Sequence, residues 1–315
     1  MRDDQAFQVG LLKPEEVDQA DTIFRRAFAT FLGIPDPAEF MGDRQLVVPR
    51  FRGPHVWALA ARQGDRLIGT NLLTQWGSFG FCGPLTVLPE HWDRGVAQEL
   101  MTVTVKVFEK WGVRHSGLFT FPGSTKHVGL YQKFGYWPQH LTAVLARTPP
   151  DRPRVEPMRL SGFKKVQRDS VIAGCARLTD RISRGLDLTA EIRSALAQGV
   201  GDVVLLGRRD GIDGFAICMN GVGSEGGTKI CYVKFGAVRG GRGADKRFDQ
   251  LLEACEAFAA ERGATVEAGM NLARGESFRH MRSRGYRVIS QGVAMQRPHV
   301  DGFNRPTCWV IDDWR

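Results

Sequence analysis

Six cysteines are scattered along the 315 residues, and no two of them form a Cys-x-x-Cys pair. Cys82, Cys175, Cys218, Cys231, Cys255 and Cys308 lie mostly in apolar runs, which reads as buried thiols in a reducing cytoplasm rather than a disulfide or metal framework. No apolar run approaches the roughly 20 residues of a membrane span. The opening Met1-Arg-Asp-Asp-Gln is polar and acidic, unlike a secretory signal. A cytoplasmic protein with no membrane association is therefore expected. The formal charge is +9, most of it contributed after residue 150, yet no basic run carries interleaved aromatics. A basic balance suits a phosphate-bearing ligand, whereas nucleic acid is an unlikely partner.

What is present is the composition of a globular protein, 43% hydrophobic and 24% charged. The length suits two domains of about 150 residues each. A long-period internal repeat supports that division. Val56-Trp-Ala-Leu-Ala-Ala-Arg-Gln-Gly-Asp-Arg-Leu-Ile-Gly69 and Val203-Val-Leu-Leu-Gly-Arg-Arg-Asp-Gly-Ile-Asp-Gly-Phe-Ala216 both read as strand, turn, strand. Leu100–Gly112 matches Leu251–Gly263, and Lys133-Phe-Gly-Tyr136 matches Ser283-Arg-Gly-Tyr286. Each half is expected to run strand, helix, three strands, long helix, strand, shorter helix and a final strand pair. The long helices show their buried faces: Val96, Ala97, Leu100, Met101, Thr104, Val107, Phe108 and Trp111 in one, and Phe248, Leu251, Leu252, Cys255, Phe258 and Ala259 in the other. Between the halves, Thr148-Pro-Pro-Asp-Arg-Pro-Arg-Val-Glu-Pro157 reads as an extended linker. The domains are thus 1–147 and 158–315, joined by 148–157.

One stretch carries chemistry. In Val87-Leu-Pro-Glu-His-Trp-Asp-Arg-Gly-Val-Ala-Gln-Glu-Leu-Met101 a strand passes through a one-glycine turn into an amphipathic helix. A helix N-terminus presents unpaired N–H groups and about half a positive charge, and so suits a pyrophosphate. Gly95 and Ala97 let the backbone approach an oxyanion, and Arg94 adds a charge-assisted contact.

This turn, with Val-x-Pro (Val87, Pro89) before it and Leu130-Tyr-Gln-Lys-Phe-Gly-Tyr136 downstream, resembles the GNAT superfamily of acyl-CoA-dependent N-acyltransferases, present twice in tandem. The family's Gln/Arg-x-x-Gly-x-Gly/Ala signature is matched by Trp92-Asp-Arg-Gly95-Val-Ala97, with Trp92 in place of Gln or Arg. The resemblance implies an α+β fold: two tandem domains, each a mixed, mostly antiparallel central sheet flanked by helices. It implies acetyl-CoA as co-substrate, no metal, and an amine acceptor, expected to be a small molecule, with antibiotic, polyamine, amino acid and protein amine all open. The pantetheine arm would pair with Leu85, Thr86 and Val87, one of whose N–H groups would face the oxyanion. The pyrophosphate would lie on Trp92, Asp93, Arg94, Gly95, Val96, Ala97 and Gln98. Ser124 stands where the family often keeps a coenzyme-holding Asn, and it also suits a helix N-cap. Tyr131 would be the general acid toward the departing thiolate.

No general base is evident, since Trp76–Val87 contains no acid, and Glu90, His91 and His127 read as solvated or capping residues. The second half's turn, Val238-Arg-Gly-Gly-Arg-Gly-Ala-Asp-Lys-Arg247, is richer in glycine. However, it lacks the Val-x-Pro lead-in and faces Met281 where the first half has Tyr131. That half is expected to be degenerate. The tail Cys308-Trp-Val-Ile-Asp-Asp-Trp-Arg315 is too apolar to be free. It is expected to pack as a strand, or to lie against the first half's cleft with Asp312, Asp313 or the terminal carboxylate attracting a cationic amine. The sequence thus reads as an N-acetyltransferase that works through a ternary complex. The alternative is a non-catalytic acyl-CoA-binding or sensing protein, and an oligomer remains compatible with either.

Overall fold

A computed structural model describes residues 7–208 and 211–315, so the turn at 209–210 of the second repeat lies outside it. The first half runs β1 (Phe7–Leu11), α1 (Val17–Leu32), α2 (Val47–Phe51), β2 (Val56–Gln63), β3 (Arg66–Trp76), β4 (Phe79–Val87), α3 (Val96–Lys110), β5 (His115–Thr120), α4 (Thr125–Gln132) and β6 (Trp137–Arg147). The second half runs α5 (Lys165–Ile182), α6 (Thr189–Gln198), β7 (Gly201–Arg208), β8 (Gly211–Gly221), β9 (Gly227–Val238), α7 (Ala244–Ala260), β10 (Thr265–Asn271), α8 (Gly275–Ser283), β11 (Arg287–Arg297) and β12 (Val310–Ile311). Residues 148–157 form no regular element. Among the described residues, the second half has no counterpart of β1 beyond an isolated bridge between Arg159 and Val204.

Helical periodicity places the long helices. Val96, Leu100, Met101, Thr104, Val107 and Phe108 of α3 are buried, and so are all six residues expected on α7. Ala97 and Trp111 are only half-buried. α1 ends at Gly33, whose φ of 71° lets its N–H turn back to the carbonyls of Ala29 and Thr30.

The strands form one sheet in the order β1-β2-β3-β4-β5-β11-β6-β10-β9-β8-β7, with β12 added against β9. The mixed, mostly antiparallel α+β arrangement is as expected, with parallel strand pairing at β4–β5 and β9–β10. The expected final strand pair of each half is not local. Each half contributes a single last strand, and the two are exchanged: β11 lies against β5, and β6 lies against β10. The hydrophobic effect does not distinguish which half supplies a strand, provided its inner face is apolar, so the periodicity alone could not assign the partner.

The cores follow the exchange. One buried cluster joins Trp76, Phe79 and Phe81 of the first half to Leu160, Phe215, Phe235 and Trp314 of the second, and another joins Ala143 and Leu145 of β6 to Phe248, Leu251 and Met281.

Candidate functional site

The site begins where β4 leaves its neighbour. β4 and β5 pair in parallel from Phe79–His115 to Phe81–Gly117 and then part. Just beyond, the β3–β4 register steps from Leu73–Cys82 to Asn71–Leu85, so β4 carries one extra residue, a bulge that re-aims the strand. Cys82–Val87 thus stays in the sheet through β3, while among the described residues no strand pairs with its other edge. This edge leads to the turn before α3, where Asp93 and Gly95 have φ of 61° and 82°. Gly95 is needed for that left-handed backbone; a Cβ there would meet nothing within 4 Å, so steric approach is not what demands it. No side chain caps α3, and among the described residues the amides of Val96, Ala97 and Gln98 have no protein acceptor.

Trp92, which the family pattern left unexplained, fastens this turn. Its indole Nε1 donates to the Val87 carbonyl at 2.8 Å, and Lys126 Nζ lies 5.5 Å from its ring centroid while pairing with Asp93 at 2.7 Å. A cavity of about 1100 Å³ opens beside the edge. Of the residues singled out in sequence, Leu85, Thr86, Val87, Trp92, Asp93, Gly95, Val96, Ala97, Gln98, Ser124 and Tyr131 line it. Arg94 does not. It is exposed and does not line the cavity, although its charge acts on the His91 imidazole, which does. The Thr86 hydroxyl is also committed elsewhere, sharing a 2.9 Å hydrogen bond with Thr70. Ser124 acts as the N-cap of α4, accepting from the His127 amide at 3.4 Å.

Tyr131 is buried on α4, and its hydroxyl has no hydrogen-bond partner among the described residues. Burial pushes the phenol above its ordinary range, with the Cys82 thiol adding to the shift, so it stays protonated. Cys82 is itself pushed up to about 12 by burial and is an uncharged wall. Of the three possible bases, Glu90 pairs with Arg66 at 2.8 Å and Arg26 at 3.2 Å, outside the cavity. His91 and His127 do line the cavity, which corrects their reading as solvated residues. Burial holds both imidazoles below the usual range, helped at His91 by Arg66 and Arg94 and at His127 by Lys126. The His127 ring sits edge-on to Phe31, with centroids 4.8 Å apart.

The second half repeats the geometry but fills it. β9 and β10 pair up to Val233–Ala268, and beyond that β12 enters the gap, pairing with Gly236 and Ala237. Asp312 N–H donates to the Gly269 carbonyl at 3.0 Å, and Arg274 donates to the carbonyls of Val310 and Asp312 at 2.8 Å each. In the glycine-rich turn, Arg247 binds the carbonyls of Arg239, Gly240 and Arg242, closing the loop on itself. Met281 is fully buried.

The sequence model of the acetyltransferase (GNAT) family matches residues 21–136, which contain the open edge, the uncapped helix and Tyr131. Residues 21–136 form a GNAT domain. Among solved structures, an acetyltransferase described as putative from Pyrococcus horikoshii aligns with a TM-score of 0.70 at 14% identity, over 98% of this chain and 95% of its own. A GCN5-related N-acetyltransferase from Sphaerobacter thermophilus aligns at 0.57 and 15% identity, over 94% and 96%. A tandem GNAT protein from the clavulanic acid biosynthesis pathway aligns at 0.56 and 13% identity, over 92% and 98%. At these identities the likeness is one of fold, and the whole chain has a tandem GNAT fold. A search of curated proteins finds no match.

The motif reading missed the cavity's far end. There the GNAT domain supplies Arg44 and Arg50, and the second half supplies Glu225, Tyr232, Trp314 and Arg315. Arg50 pairs with Glu225 at 2.6 Å, and Arg44 and Arg315 both pair with Glu267, at 3.0 and 2.9 Å. These partners lie far apart in sequence and carry no motif. The tail does reach the cleft, through Trp314 and Arg315, and the main-chain oxygen of Arg315 accepts from Arg50 Nη2. Asp312 and Asp313 are buried behind it, Asp313 held by the Tyr232 hydroxyl at 2.9 Å and by Arg315 Nε at 2.7 Å.

Proposed function

We propose that the chain is an N-acetyltransferase that moves an acetyl group from acetyl-CoA to a primary amine by direct attack, with the GNAT domain as its catalytic half. The observation that carries this reading is the continuous path from the open β4 edge to the uncapped start of α3, with a free tyrosine hydroxyl on the same cavity. The residues present fit the coenzyme. Unpaired amides at Val96, Ala97 and Gln98 suit a pyrophosphate, and the open edge at Leu85–Val87 suits the amide groups of a pantetheine arm. The cavity is large enough for the reactive end of the coenzyme and an acceptor together. The coenzyme supplies an activated acetyl thioester.

The chain's own residues would do the rest. The aromatic wall keeps the amine and thioester dry, and a β4 amide offers a donor to the carbonyl oxygen as it gains charge. The amine nitrogen bonds to the acyl carbon as the carbon–sulfur bond breaks. Tyr131, held protonated by burial, gives its proton to the leaving sulfur. The amine's proton passes to the neutral imidazole of His91 or His127 through water.

Thiol release from acetyl-CoA across a panel of amines tests this function. Tyr131→Phe is expected to lower kcat by about 10²–10⁴-fold while leaving coenzyme affinity in place, as befits loss of a general acid. Coenzyme binding with no thiol release from any amine would instead support the acyl-CoA-sensing alternative.

A further inference from the structure

The far end of the cavity is a set of ion pairs whose more exposed side chains are arginines, with Glu225 and the main-chain oxygen of Arg315 set among them. Arg315 and Arg44 retain 24% and 15% of their side-chain exposure, whereas Glu267, Asp313 and Glu225 beneath them retain 6%, 1% and 1%. The carboxylates therefore act as a bed that orients the guanidiniums, and the guanidiniums face the cavity. Each is locked in place. Arg315 is held by Glu267 and Asp313, Arg44 by Glu267 and the Glu225 carbonyl, and Arg50 by Glu225 and the main-chain oxygen of Arg315. Donor capacity is left over, since Arg315 Nη1 makes no hydrogen bond among the described residues. A preorganised guanidinium with a spare N–H is a carboxylate or phosphate receptor, because the ordering cost is already met by the ion pairs beneath it.

Its position relates it to the proposed chemistry. Arg50 Nη1 donates at 3.0 Å to the carbonyl of Gly83, within the bulge where β4's open edge starts. The same cavity also has an apolar wall that includes Phe24 and Phe28 of α1, Phe40 and Phe119. Charge at one end, an apolar wall beside it and the acyl path at Gly83 describe one kind of acceptor.

We infer that the acceptor carries an anionic group on the same molecule as its amine, and that it is an amino acid with an apolar side chain whose carboxylate docks on Arg315 and Arg44. The inference rests on the transferase reading above. The nitrogen gives up one proton as it bonds to the acyl carbon, and the thiolate takes one, so the carboxylate takes no part in the covalent change.

The test measures thiol release from acetyl-CoA with phenylalanine, phenethylamine and 1-amino-2-phenylethylphosphonic acid, compared at equal concentrations of neutral amine. Phenylalanine is expected to exceed phenethylamine in kcat/KM by about tenfold or more, the worth of one or two charge-assisted hydrogen bonds. The phosphonate distinguishes the two anions: if it is the better substrate, the carboxylate assignment falls. In Arg315→Lys the preference for phenylalanine over phenethylamine is expected to collapse, chiefly through KM. If that variant does not fold, the acceptor comparison on the native chain decides alone. Equal turnover of phenylalanine and phenethylamine would overturn the inference and leave the transferase reading standing. A preference for succinyl-CoA over acetyl-CoA that Arg315→Lys abolishes would overturn it too, by assigning the arginines to the acyl donor. If no amine in a wider panel releases thiol, the transferase reading fails and this inference fails with it.

Discussion

His115 shows how one side chain ties the two halves together and makes their union sensitive to acid. It lies at the start of β5, stacked on Phe79 with centroids 4.9 Å apart, and 6.0 Å from the ring of Trp314 in the tail. Its Nε2 is buried without a partner among the described residues, and burial lowers its pKa from the usual 6.5 to about 4. The neutral ring suits this apolar setting and the charged ring does not. The folded-state pKa is depressed, so above 6.5 both folded and unfolded chains hold it neutral and it costs nothing. As pH falls from 6.5 toward 4 the unfolded chain takes up the proton first, and stability is lost across that window. The full shift corresponds to roughly 3 kcal/mol. His115→Leu removes the titration at similar volume. In urea unfolding at a series of pH values, the drop in stability between pH 7 and pH 4.5 is expected to be smaller in the variant by about 2–3 kcal/mol. Parallel pH profiles for the two proteins would show that His115 is not the group responsible.

At the scale of the element, β12 has the clearest consequence. It fills the gap between β9 and β10 that the GNAT domain leaves open between β4 and β5, and glycines make room for the tail residues beyond it. A Cβ at Gly269 would lie 2.2 Å from Asp313 Cβ, and one at Gly117 would lie 2.2 Å from the Trp314 ring. Asp313 cannot give way without breaking its bonds to Tyr232 and Arg315. Gly269→Ala is therefore expected to unseat the tail at a cost of about 1–3 kcal/mol, visible as proteolytic release of the C-terminal residues at temperatures where the native chain is resistant. Gly240→Ala, where a Cβ meets nothing within 4 Å, serves as the unaffected control. The same plug predicts that calorimetry finds a single coenzyme site per chain, and a second site of similar affinity would refute it. The long helices were legible in sequence because their apolar positions recur every three to four residues, and the open turn was legible because Gly95, Ala97 and Tyr131 lie close along the chain. The role of Trp92 was not, since an indole bonding to a carbonyl five residues back leaves no pattern. The arginine cluster was illegible because Arg50 and Glu225 meet only through the fold.

For the whole molecule, the exchange of β6 and β11 decides what counts as a folding unit. β11 pairs with β5 along Val293–Arg297 and with β6 along Arg287–Gln296, so it fills the space between two strands of the first half. β6 in turn completes the second half's core against α7 through Ala143 and Leu145. A chain cut in the Pro-rich segment 148–157 would leave β5 and β6 with unpaired edges and open one side of each core, and unpaired inner edges of this length promote association rather than folding. The intact chain is expected to unfold in one cooperative transition, with near- and far-ultraviolet circular dichroism coinciding. A fragment of residues 1–157, although it contains the complete GNAT match and Tyr131, is expected to lack that transition and to release no thiol from acetyl-CoA. Co-expression with residues 158–315 is expected to restore both, because the missing strand and the Trp314–Arg315 wall return together. A cooperative, active 1–157 fragment would show that the exchanged strand is dispensable and that the catalytic half is a domain in its own right.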